Sequence, residues 1–190
     1  MSNALSIKQH PTVNGINVDD VKALIETVKR DPSNGLTQWK VTSTWEDRTH
    51  IRANIESFNI GGRTVKRPFN IDIDEPLELG GSNAHPNPQE HLIAALNACM
   101  MVGYVALCAL QGIALEKLEI QTEGDIDLRG FLGLDSNIPA GYRSLRCSVR
   151  IKGDADKEQF TKIHQTVMAT SPNYYNITQP VGLSSRLVIE

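Results

Sequence analysis

The chain has 190 residues, enough for one domain of ordinary size or one domain with an extension. Its 19 Lys and Arg against 22 Asp and Glu leave a net charge of −3, and no basic run is interleaved with aromatics. Nucleic acid and anionic lipid are therefore not expected partners. Three cysteines, Cys99, Cys108 and Cys147, lack Cys-x-x-Cys spacing, so neither a disulfide framework nor a zinc site is indicated, and no metal or cofactor is expected. The first thirty residues contain no apolar secretory core, which makes a reducing cytoplasm the expected location.

In chain order, residues 1–16 are polar and read as a loose arm. Asn17 is placed to cap a short helix whose Val18, Val21, Leu24, Ile25 and Val28 recur at helical spacing. Asp31-Pro32-Ser33-Asn34-Gly35 ends it, so residues 1–36 form an arm and an add-on helix that must dock on something, a partner subunit included. The main domain is expected over 37–190. From Thr37 the period becomes two, with Trp39, Val41 and Ser43 on one face of a half-buried strand. Glu46 to Thr49 reads as a turn, Ile51 to Phe58 as the returning strand and Gly61-Gly62 as the next turn. Val65 to Ile73 is a third strand in which Pro68 requires an edge or a bulge. Asp74-Glu75-Pro76 and Gly80 to Asn83 lead by a loop into the central helix.

That helix organises the chain. Asn87 is its cap, Pro88 fits the first helical position, Glu90 completes a capping box, and Gly112 is the expected stop. From Leu92 to Leu110 the only strongly polar side chain is Asn97. Such a run is long enough for a bilayer span, but its Ala content and lack of a basic flank or aromatic girdle favour a buried core helix and no membrane. Beyond it, Leu115 to Thr122 and Tyr142 to Ile151 read as strands separated by the Gly124 to Gly133 loop. Asp154 or Asp156 caps a second amphipathic helix carrying Phe160, Ile163, Val167 and Met168. Ser171-Pro172 stops it, and Leu183 to Ile189 reads as a closing strand. Strand runs with two separated helices imply an α+β fold with mostly antiparallel sheet.

Cys99, near the middle of the apolar helix, reads on the helix alone as a small buried hydrophobe, with a nucleophile as the alternative; Cys108 and Cys147 read as core cysteines. A thiol reacts as thiolate, and burial without a partner raises its pKa. Activation needs a cation from elsewhere, for which Arg48 and Arg52 on the strand pair are the nearest supply. At about 100° per residue, Leu92, Ala95, Gly103 and Ala106 lie within roughly 40° of Cys99, whereas Glu90 and Cys108 lie opposite. Small residues on that face would let another element approach the sulfur. His91 and His164 read as surface or packing residues, and no hydrolase triad is indicated.

Asn87-Pro88-Gln89-Glu90, Leu96-Asn97-Ala98-Cys99, the Gly124 to Gly133 loop and Ser171-Pro172 together resemble the OsmC/Ohr family, over about residues 37–190. Trp45, the strand arginines and Asp74-Glu75-Pro76 fit a branch of it. The resemblance implies an α+β intertwined homodimer, with long central helices wrapped by antiparallel sheets. It also implies a thiol-dependent peroxidase in which Cys99 attacks a hydroperoxide. The family's arginine falls on Arg52 by its spacing from Trp45, with Arg48 the rival. Two positions depart from the pattern: the family's glutamate falls on Gln89, and its resolving cysteine on Ser171. A peroxidatic cycle would then need an external thiol or dithiol reductant. The alternative is a binding or structural member that keeps the fold without turnover.

Overall fold

The computed structural model describes residues 12–190. Residues 1–11 of the expected loose arm lie outside the described residues; the rest of it is a tight hairpin. Thr12–Val13 (β1) pairs with Ile16–Asn17 (β2) through Asn14 and Gly15, whose φ values of 54° and 77° suit residues that tolerate left-handed backbone. Asn17 then caps Val18–Arg30 (α1), its side chain accepting from the Asp19 and Asp20 amides. Acidic residues at the start and Lys29 and Arg30 at the end complement the helix dipole. Leu24 and Ile25 stay exposed on the face expected to dock. A single 3-10 turn, Pro32–Gly35, ends this extension.

The chain divides into two compact units, Met1–Leu92 and Ile93–Glu190. The first is built on an antiparallel sheet of Thr37–Trp39 (β3), Thr42–Asp47 (β4), His50–Ile60 (β5) and Arg63–Ile73 (β6). β5 is its central strand. β6 runs along one side, while β3 and β4 share the other, so the strand expected from Thr37 onward is interrupted at Lys40-Val41. Register shifts between Ile55↔Phe69 and Ser57↔Lys66, so Arg67 and Pro68 form a bulge on an edge strand, where a proline costs no ladder bond. The half-burial expected for Trp39 and Val41 is not found: β3 and β4 are exposed throughout. Alternation marks a face suited to burial, and no element among the described residues of this unit covers it.

The segment after β6 is held by Asp74, which is buried. Its carboxylate accepts from Thr49 Oγ1 and the Glu75 amide on one oxygen, and from the Ser82 amide, Ser82 Oγ and the Ala84 amide on the other. These donors satisfy a charge that burial would otherwise penalise, and they hold the carboxyl well below its ordinary value, Ser82 contributing most. Gly81 is required here, since a Cβ at that position would lie 1.8 Å from the Glu75 carbonyl oxygen.

Pro88–Leu110 (α2) has the predicted start and stop. Asn87 Oδ1 accepts from the Glu90 amide and Glu90 Oε2 from the Asn87 amide, a reciprocal capping box. At the other end Gly112 takes φ 73°, with Ile113 N–H donating to Cys108 O and Gly112 N–H to Ala109 O. In the second unit Leu115–Gly124 (β7) pairs antiparallel with Leu145–Gly153 (β8). The glycine-punctuated loop between them contains a short helix, Leu128–Phe131 (α3), capped by Asp127. Lys157–Thr170 (α4) starts from a capping box of Asp156 and Gln159; Asp154 instead accepts from the Ala114 amide. The core gathers Leu96, Met100, Tyr104 and Cys108, one α2 stripe at i, i+4 spacing, against Ile163 and Val167 of α4 and the inner face of β7 and β8. Asn97 is satisfied by β7: it accepts from Thr122 Oγ1 and donates to the Ile120 carbonyl.

In this unit one expectation is met with an added element, and one is corrected. Pro172–Thr178 forms a further helix (α5), because Pro172 both stops α4 and suits the first position of a new helix. Leu183 to Ile189 is not a strand; it is irregular and exposed, Leu183 at 93%. β-propensity cannot make a strand without a partner to hydrogen-bond.

Candidate functional site around Cys99

The expected face of small residues receives the α4–α5 corner. Ala95, Cys99 and Gly103 recur one turn apart, and residues from the corner meet them in antiparallel order. A Cβ at Gly103 would lie 3.3 Å from Val167 Cγ2. Ser171 Oγ donates to Cys99 Sγ at 3.3 Å, and Asn173 Nδ2 donates to the Ala95 carbonyl at 2.9 Å. Larger side chains on α2 would hold the corner off.

Ser171 is buried, closes α4 through its amide to Val167 O, and caps α5 by accepting from the Tyr174 amide. The sulfur thus sits beside a hydroxyl whose position is fixed by two helix ends.

The other cysteines differ. Cys108 is completely buried, and burial, with a smaller contribution from Asp154, pushes its thiol above the ordinary value. It is a packing residue, as expected. Cys147 is exposed on β8, which corrects its reading as a core cysteine. Cys147 shares the strand face of Leu145, Val149 and Ile151, which pack on the core, yet it stays exposed itself. Tyr104, one helical turn before Cys108, is pushed up to about 12, chiefly by burial, and its hydroxyl bonds to His164 Nδ1. His164 is therefore a packing residue tied to a buried phenol.

Arg48, Arg52 and Gln89 belong to the first unit and Cys99 to the second. Arg52 Nε donates to Asp72 Oδ1 at 3.0 Å, and Asp72 pairs with His50 Nε2 at the same distance. Both bonds lower the Asp72 carboxyl, that of His50 more. Arg48 is exposed at the β4–β5 turn with φ 48°, and its carbonyl accepts from Trp45 Nε1 at 2.8 Å. Gln89 is exposed in the first turn of α2. The buried atoms Glu75 Oε2 and His91 Nε2 lack a hydrogen-bond partner among the described residues.

Sequence reasoning placed Ser171 by family position but did not foresee its bond to the sulfur; the Ser-Pro helix break beside a small-residue stripe was the available signal. A cleft of about 640 Å³ in the β7–β8 connection, lined by Asp125, Asp127, Ile138 and Arg143 among others, contains none of the candidate residues.

Comparison with known proteins places this geometry. The family model described as OsmC-like protein matches residues 80–185, which include Cys99 and Ser171. A comparison with curated proteins gives no match. Among solved structures, the chain is similar to an OsmC-like protein from Mycoplasma pneumoniae at 14% identity and a TM-score of 0.58, covering 74% of this chain and 87% of that one. It is also similar to a Psychrobacter arcticus protein described as osmotic-stress-induced and detoxification-responsive, at 12% identity and a TM-score of 0.55, covering 72% and 86%. At such identities the likeness speaks for the fold, and that fold is the α+β arrangement of antiparallel sheets and helices described above. With more than half its length matched by the family model, the chain belongs to the OsmC-like protein family.

Proposed function

We propose that the protein is a one-cysteine thiol peroxidase that reduces small hydroperoxides, organic ones first, in a reducing cytoplasm. One observation carries the reading: Cys99 Sγ accepts a hydrogen bond from the buried Ser171 hydroxyl on a helix face otherwise lined by small apolar residues. The membership of the family and the detoxification response named for one structural relative support it.

The Cys99 thiolate attacks the outer oxygen of the hydroperoxide. An S–O bond forms, the O–O bond breaks, and the alkoxide leaves to take a proton as the alcohol. Sulfur loses two electrons and becomes sulfenic acid. Arg52 or Arg48 stabilises the thiolate and the leaving oxyanion, and Gln89 orients the arginine by hydrogen bonding without adding charge. Ser171 cannot close a disulfide, so an external thiol condenses with the sulfenic acid, releasing water. A second thiol equivalent then frees Cys99 and leaves with the first as a disulfide.

The working unit in this reading is a homodimer. Cumene hydroperoxide added in equimolar amount should raise the intact mass of the protein by one oxygen, at a site trapped by a sulfenic-acid reagent at Cys99. Cys99→Ser should abolish both signals. A Cys99 left unoxidised under these conditions would leave the fold in service as a binding or structural protein.

A further inference from the structure

We propose a divalent transition-metal site, suited to Zn²⁺, formed by His50, Asp72 and His85 in the first unit. It stands independently of the peroxide chemistry. One ligand atom from each of the three residues lies within 4.8 Å of the other two, and His50 Nε2 and Asp72 Oδ1 are already 3.0 Å apart. Ligand atoms about 2.1 Å from a tetrahedral ion lie roughly 3.4 Å apart, so closure asks only for a modest swing of His85.

The backbone prepares the three residues. His50 and Arg52 alternate onto one face of β5, and Asp72 stands directly opposite Arg52 on β6. Asp74, two residues beyond Asp72, fixes the other two ligands through their neighbours. Its carboxylate accepts from Thr49, next to His50, and from the Ala84 amide, while its own amide donates to Pro86 O. His85 is thereby held between two anchored residues, with its ring stacked on that of His50 at a centroid distance of 5.1 Å.

Two imidazoles and one carboxylate form a donor set for zinc and its neighbours that leaves a position for water. Asp72 Oδ1 accepts from Arg52 and meets His50 Nε2, so a cation would take the place of the proton shared between that nitrogen and the carboxylate. The bond from Arg52 Nε then orients the ligating carboxylate from outside the coordination sphere, as outer partners of metal ligands do. Its positive charge beside the ion makes the affinity moderate. This site went unnoticed in the sequence because its ligands are 22 and 13 residues apart and meet only through sheet register and the Asp74 anchor.

The test uses the full-length chain, free of any tag and stripped by a chelator. Zn²⁺ titrated against a chromophoric competitor should bind with one equivalent per chain, and Co²⁺ should give visible d–d bands without thiolate charge transfer. His85→Ala, at a residue outside the core, and Asp72→Asn should each weaken binding by roughly tenfold or more. Cys147→Ser should leave it unchanged. Absence of binding, affinity equal to wild type in both ligand variants, or a cobalt–thiolate band that disappears in Cys147→Ser or Cys99→Ser would overturn the proposal.

Discussion

At the scale of single residues, the contrast between Cys99 and Cys108 separates chemistry from packing. Both lie on α2, half a turn out of phase, and both are free. Cys108 faces the hydrocarbon core, which penalises its anion. Cys99 faces Ser171, whose hydroxyl donates to the sulfur. Removing that donor should therefore act on the reactivity of the sulfur. Ser171→Ala, which removes the hydrogen bond to the sulfur, is expected to slow alkylation of Cys99 by iodoacetamide near neutral pH. Thr, which retains the hydroxyl, should recover part of the rate. Equal alkylation profiles for Ser171→Ala and the parent would remove Ser171 from the site. The same substitution also deletes the α5 cap, a loss of about 1 kcal/mol, so thermal unfolding separates the two effects.

At the scale of elements, the segment between β6 and α2 is organised by one carboxylate. Asp74 has five donors and a carboxyl held below its ordinary value near 3.8, first by Ser82 and then by Thr49. The sign follows from linkage. A group with a depressed folded pKa contributes stability that is fully present above its unfolded value, and that contribution is lost as pH falls through that value toward the folded one. The urea midpoint should accordingly decline from about pH 5 downward. In Asp74→Asn it should start lower and decline less, and an unchanged slope in that variant would assign the acid sensitivity to other carboxylates. The α4–α5 break shows the complementary case, since a Ser-Pro step that merely ends one helix in sequence terms creates a corner that places Ser171 and Asn173 against α2.

At the scale of the whole molecule, each unit carries exposed apolar side chains among the described residues. Trp39, Val41 and Trp45 are exposed on the first; Val102 of α2 and Leu183, Leu187 and Ile189 are exposed on the second. By length and composition α2 also qualifies as a membrane span, yet one stripe of it is packed against α4 and the β7–β8 pair. The homodimer proposed above would cover the rest with a second copy of the chain. Light scattering in detergent-free buffer should give twice the chain mass of 21.0 kDa. Val102→Glu, which puts a charge on the uncovered helix face, should shift the population toward monomer. A parent protein that is monomeric at micromolar concentration would contradict this assembly.

What the sequence determined by itself is the local order. The Asn87 and Glu90 capping box, the Gly112 stop, the Asn17 cap, the Gly61-Gly62 turn and the Pro68 bulge all rest on backbone chemistry within a few residues, which tertiary contacts rarely overrule. The candidate cysteine was equally accessible, because an almost wholly apolar helix makes its few exceptions conspicuous. Tertiary structure decided everything that needs a partner distant in the chain. It alone set the hydroxyl of Ser171 on a sulfur 72 residues away, left Cys147 exposed on a strand face whose other residues pack inward, brought His85 over His50 and Asp72, and left Leu183 to Ile189 without a pairing strand among the described residues. Periodicity reveals which face of an element suits burial, but the element that covers it is chosen by packing across the fold.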